Sequence, residues 1–173
     1  MTRLIGFEIP SDSPVFLAIL ALHIPIALLA VATGMVAMLK SKRRGGHSRF
    51  GSIYFWSLGA LFCTSVALAG MRWSEDYHLF ILGAIAFSAA VMGRTARRQR
   101  WRTPIDLHIV GMGLSYIAML TAFYVDNGKN LPIWRDLPHI LYWLLPSAVG
   151  VPLIVWALGR RQRGLVSAGG AAR

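Results

Sequence analysis

One cysteine, Cys63, and seven acidic residues are all that the chain has of these types, and charged residues of both signs make up only 14% of it. A lone cysteine excludes an intramolecular disulfide and a Cys-x-x-Cys-His site for covalent haem attachment, and it leaves the redox compartment unread. Missing as well are a nucleophile with a paired base, a phosphate-cradling glycine loop and a His-Glu-x-x-His motif, which argues against hydrolase and nucleotide chemistry. With so few acids against 18 Lys and Arg, the net charge is +11. A nucleic-acid binder would carry such charge on a folded polar surface; here the basic residues flank long apolar runs, so no nucleic-acid partner is expected.

What the chain has in excess is apolar surface, 55% of its residues, which points to the lipid bilayer as its solvent. A hydrocarbon core of about 30 Å needs about 20 helical residues, and five apolar segments are long enough: 14–39, 50–72, 77–93, 104–125 and 137–159. The first is too long for a signal-peptide core and ends in a basic cluster, so it reads as a retained helix. Short connections of about five to eleven residues imply antiparallel consecutive helices and one membrane domain over 1–173. The expected fold is thus an all-α, five-span integral membrane protein in which helices two to five form a four-helix bundle.

Charge sets the orientation. Lys40, Lys42, Arg43, Arg44, Arg49, Arg94, Arg97, Arg98, Arg100, Arg102, Arg160, Arg161, Arg163 and Arg173 fall on one side, while six of the seven acids, Glu8, Asp12, Glu75, Asp76, Asp126 and Asp136, fall on the other. The positive-inside rule then places the N-terminus outside and the C-terminus in the cytoplasm. Trp73 and Trp134 mark the outer boundary and Trp101 the inner one. Gly111-x-Gly113 and Gly59-Ala60 predict close helix approach, and Pro25, Pro146 and Pro152 predict local kinks. Asn127-Gly128 signals a turn, and Leu131-Pro132 with Leu137-Pro138 restart the chain into helix five.

Ionisable groups in or near a span are functional candidates by default, and all five histidines are there. His47, His78, His108 and His139 are separated by 31, 30 and 31 residues, one at or next to the N-terminal turn of each of helices two to five. Since helix direction alternates, His47 and His108 belong to the inner side and His78 and His139 to the outer. Each pair lies on diagonal helices of the expected bundle, an arrangement that suits the two axial ligands of a low-spin bis-His haem b. Asp106, Glu75, Asp76 and Asp136 stand close enough in sequence to orient the rings as carboxylate partners. Arg43, Arg44 and Arg49 near the inner pair, and Arg72 and Arg135 near the outer, supply cations for propionates.

The same residues admit a plainer reading, because interfacial histidines and a repeat of about 30 residues are what a membrane of this thickness imposes. A non-haem metal is a third reading, at these four histidines and His23, although zinc and copper normally take three or four ligands. His23, ahead of Pro25 in helix one, is a deeper ligand, a proton relay, a quinone contact or a satisfied core histidine. Tyr54, Ser115 and Tyr116 are expected to bond between helices and not to do chemistry.

Two resemblances follow from these residues. Leu22-His23, the Gly45-Gly46-His47-Ser48-Arg49-Phe50-Gly51-Ser52-Ile53-Tyr54 stretch, the block from His108 to Tyr116 and the loop from Asp126 to Pro138 resemble the bacterial membrane protein family called domain of unknown function 2306, over most of the chain. That resemblance implies a multi-pass protein of the bacterial inner membrane and no particular activity. The alternating histidines are similar in pattern to the cytochrome b561 architecture, which implies His47 with His108 as inner haem ligands and His78 with His139 as outer ones. That family has six spans against five here, and histidines at helix ends would leave the haems further apart and closer to solvent. The expected function is b-type transmembrane electron transfer with a quinone or another redox protein as partner. The alternatives are metal or small-molecule carriage by His23, His78, His139, Glu75, Asp76 and Asp136, or a non-catalytic partner subunit whose basic loops bind anionic lipid.

Overall fold

Prolines open two of the long helices: Pro14 and Pro104 occupy the first helical position, where the missing N–H costs nothing and the fixed φ is already helical. The computed structural model describes residues 2–4, 7–9, 13–41, 45–132 and 134–170. Two three-residue strands come first, β1 (Thr2–Leu4) and β2 (Phe7–Ile9), paired antiparallel with Thr2 opposite Ile9. Five helices follow: α1 (Pro14–Leu39), α2 (Gly46–Met71), α3 (Trp73–Arg98), α4 (Pro104–Asn127) and α5 (Ile140–Gly170). Each is long and apolar enough to cross a membrane; at 1.5 Å per residue, 26 residues reach about 39 Å. The spanning part is therefore all-helical, as expected, and it runs unbroken through Pro25, Pro146 and Pro152.

The link between α2 and α3 is shorter than expected, a single residue. Arg72 ends one helix with its N–H on the Ala69 carbonyl and starts the next by accepting the N–H groups of Glu75 and Asp76. Its guanidinium pairs with the carboxylates of Glu75 and Asp76 in the first turn of α3, where the helix dipole favours negative charge. The longer connection, from α4 to α5, contains two short 3-10 turns, Gly128–Asn130 and Trp134–Asp136. It is tied down by Tyr142, whose hydroxyl donates to the Trp134 carbonyl at 2.9 Å, and by Trp134 stacked on Tyr124 at 4.3 Å between centroids.

Consecutive helices pack together throughout, and the contact that closes the bundle is between α1 and α4. α1 thus reaches α4 as well as α2, and α5 packs chiefly against α4, with Trp143 6.1 Å from His78 of α3. Glycines set these contacts. A Cβ at Gly111 would stand 2.6 Å from the Ala89 carbonyl oxygen and 2.7 Å from the Gly93 Cα, so α3 and α4 meet backbone to backbone. Two residues on, Gly113 faces the opposite way and seats Ile154 of α5, while Gly150 of α5 seats Ile117. On α1, Gly34 seats the rings of Tyr54 and Tyr116, which draws α1 onto α2 and α4. The core built this way holds Ala30, Tyr54, Phe55, Leu58, Leu61, Ala86, Ala90, Ala118 and Met119. The large apolar residues left exposed, such as Leu28 and Met35 on α1 and Leu153 and Val155 on α5, lie where lipid would cover them.

Candidate functional site: an imidazole pair at the basic end of the bundle

α2 starts at Gly46, so His47 sits in its first turn, and α4 starts at Pro104, so His108 sits in its second. The two rings meet across the bundle with centroids 6.0 Å apart and planes at 81°. His47 Nδ1 lies 2.8 Å from the Ala37 carbonyl of α1, and His108 Nδ1 lies 3.0 Å from the Gly93 carbonyl of α3. A carbonyl only accepts, so in each of these bonds Nδ1 carries the hydrogen, the orientation in which Nε2 would be the ligating nitrogen. Ala37 is in the last turn of α1, where carbonyls run out of helical N–H partners; Gly93 lies in the close approach of α3 to Gly111 and Met112 of α4.

These carbonyls take the place expected of the acids. Asp106 is ion-paired with Arg161 of α5. Glu75 and Asp76 are ion-paired with Arg72, and Asp136 is within 3.7 Å of its neighbour Arg135 at an exposed position. A backbone acceptor does the same job for an imidazole as a carboxylate, fixing tautomer and ring plane. Arg49 is exposed beside the inner pair, and Arg43 and Arg44 lie outside the described residues, as do Asp12, Lys42 and Arg173. Arg94, which sequence reasoning did not single out, holds its guanidinium 4.5 Å over the Phe55 ring and 3.5 Å from Ser52 Oγ.

The outer histidines are arranged differently. His78 is half-buried with its ring 6.1 Å from Trp143 and 5.8 Å from Tyr77, and His139 is exposed just ahead of α5, against Tyr142 at 5.3 Å. They are not in ring contact with each other among the described residues. α3 and α5 meet at this end through His78 and Trp143, not through the two imidazoles. His23 donates from Nδ1 to Thr64 Oγ1 at 2.8 Å, and Thr64 passes its own hydrogen to the Leu61 carbonyl at 2.9 Å, so this histidine staples α1 to α2. Among the described residues no group of three or more His, Cys, Asp or Glu side chains is placed to hold a metal ion.

Deeper in the bundle the hydroxyls bond between helices, as their positions in the spans suggested. Ser115 Oγ donates to the Met112 carbonyl at 2.8 Å, which leaves Tyr54 Oη to donate to Ser115 Oγ, also at 2.8 Å. Tyr116 Oη donates to the Val31 carbonyl at 3.1 Å.

Fold and site together define a helical bundle with five helices of membrane-spanning length and an anchored imidazole pair at its basic end. No known protein family, curated protein or solved structure matches the chain.

Proposed function

We propose that the chain is a multi-pass protein of a bacterial inner membrane, N-terminus outside, that binds one low-spin b-type haem between His47 and His108 and serves as a one-electron carrier. The observation that carries this reading is the pair itself: two imidazoles, each held through Nδ1, at 6.0 Å between centroids. Two imidazoles bonded to opposite sides of one metal at about 2 Å per bond have centroids roughly 6.3 Å apart, close to the separation found here. The ligand count then favours haem iron, which needs only two axial ligands from the protein, over zinc, which normally takes three or four protein ligands. Basic residues around this end, including exposed Arg49 and Arg102, suit propionates and an acidic or anionic redox partner.

His47 and His108 would hold the iron, Ala37 and Gly93 would keep the rings oriented, and the haem would supply reversible one-electron chemistry. Because the pair stands at the helix ends, one edge of the group would face the cytoplasmic loops, giving electrons a short way out to a soluble partner, and the lipid phase gives a quinone access from the side. The two-haem route across the membrane is not part of this proposal, since no ring contact joins His78 and His139 among the described residues. The test is a reduced-minus-oxidised visible spectrum of detergent-purified protein from haem-replete cells, followed by titration with haemin. A b-type α band is the expected result; a flat spectrum before and after haemin would end the cofactor reading.

A further inference from the structure

α2 and α4 are diagonal in the bundle and run parallel, both starting at the basic end, so their spacing is set by side chains and not by a backbone seam. Two side-chain bridges join them: His47 with His108, and Tyr54 with Ser115. Each member of the second bridge stands seven residues after a member of the first. Seven residues are nearly two full turns, so Tyr54 and Ser115 project from the same helix faces as the histidines, about 10 Å deeper.

We propose that Tyr54 and Ser115 are positioning residues: their hydrogen bond is a strut that sets the distance and mutual angle of the His47–His108 imidazoles. Tyr54 is 2% exposed and Ser115 0%, so no water competes for the bond, and loss of either partner leaves the other buried group without its mate. The strut is braced from α1. The Tyr54 and Tyr116 rings lie 5.9 Å apart over Gly34, and Tyr116 is bonded to the Val31 carbonyl. Ser115 cannot turn away to find another partner, because its own hydrogen is committed to Met112. The histidines stand in the first two turns of their helices and are tied to α1 and α3 through the Ala37 and Gly93 carbonyls. The deeper bond fixes where the two helices bring those rings.

The functional half of this inference rests on the haem reading; the geometric half does not, and the experiment separates them. Spin labels are placed on α2 and α4 near the basic end, at exposed Ser48 and Ile105, in a Cys63→Ser background, and their separation is measured by pulsed dipolar spectroscopy in lipid nanodiscs. The parent should give one narrow distance. Tyr54→Phe and Ser115→Ala should each broaden or lengthen it, and the double variant should be no worse than either single one, as members of one bond behave. Gly34→Ala, whose Cβ would stand 2.6 Å from the Tyr116 ring and 2.9 Å from the Tyr54 ring, displaces the strut without touching its hydroxyls and should do the same. An unchanged distance in both single variants, or additive effects in the double, overturns the strut. With haem bound, the near-perpendicular imidazoles of the parent should give a strongly anisotropic low-spin electron paramagnetic resonance signal, which should become more rhombic in Tyr54→Phe. Label distances that respond in a chain that never takes up haem would keep the strut and sink the cofactor reading.

Discussion

His47 and His108 each do two things at once, and substitutions separate them. As a staple, His47 satisfies a carbonyl that the end of α1 leaves open; a hydrogen bond of this kind contributes about 1 kcal/mol net. His47→Ala and His108→Ala should therefore lower stability only modestly, with thermal unfolding in detergent shifting by a few degrees, while each abolishes haem absorbance completely. Comparable melting with retained absorbance would make both residues mere staples. His23 belongs to the stapling class: its Nδ1 is bonded to Thr64 between α1 and α2. His23→Ala should leave the haem spectrum unchanged, and a loss of the α band in that variant would show that the site extends beyond the inner pair.

Between elements, glycine decides which helices touch. Gly111 and Gly93 give α3 and α4 a backbone seam, in which an added methyl has no room. Gly111→Ala should destabilise by about 1–3 kcal/mol, the usual cost of overpacking, whereas Gly51→Ala, with nothing within 4 Å of its new Cβ, should be neutral or gain up to about 1 kcal/mol from helix propensity. Chemical or thermal unfolding of the two variants side by side checks this, and equal stabilities would refute the seam. The Asp106–Arg161 pair joins the basic ends of α4 and α5, but its side chains are 32% and 25% exposed. Asp106→Asn should accordingly change stability by less than about 1 kcal/mol and leave the spectrum of the His47–His108 site unaltered.

At the scale of the molecule, the helices and the meeting of His47 with His108 were legible in the sequence, whereas His78 and His139 show no ring contact among the described residues. Apolar length fixes the five spans, and the register of His47 and His108 on helices that start at the same face was enough to bring them together. The regular histidine spacing suggested the same for His78 and His139, but spacing along the chain carries no information on which helix closes the bundle. Those contacts come from Gly34, which lets α1 onto α4, and from Gly113 and Gly150, which seat α5 on α4. The acids misled for a related reason: Asp106, Glu75 and Asp76 are near histidines in sequence, yet each has an arginine as its nearer partner. The ring anchors are backbone carbonyls, which no residue type announces. Orientation follows from charge, and it is checked by single cysteines in a Cys63→Ser background: in intact spheroplasts an impermeant maleimide should label Lys129→Cys and spare Arg102→Cys. The reverse pattern would invert the topology and put the imidazole pair outside.

The central claim is one haem per chain, held at the inner pair. The measurement that meets it most directly is a pyridine haemochrome assay with a reduced-minus-oxidised spectrum, on the parent and on the four variants His47→Ala, His108→Ala, His78→Ala and His139→Ala. One haem per chain, lost in the first two and kept in the last two, is the predicted result. Two haems per chain, loss in the outer variants alone, or no haem in the parent would each contradict it.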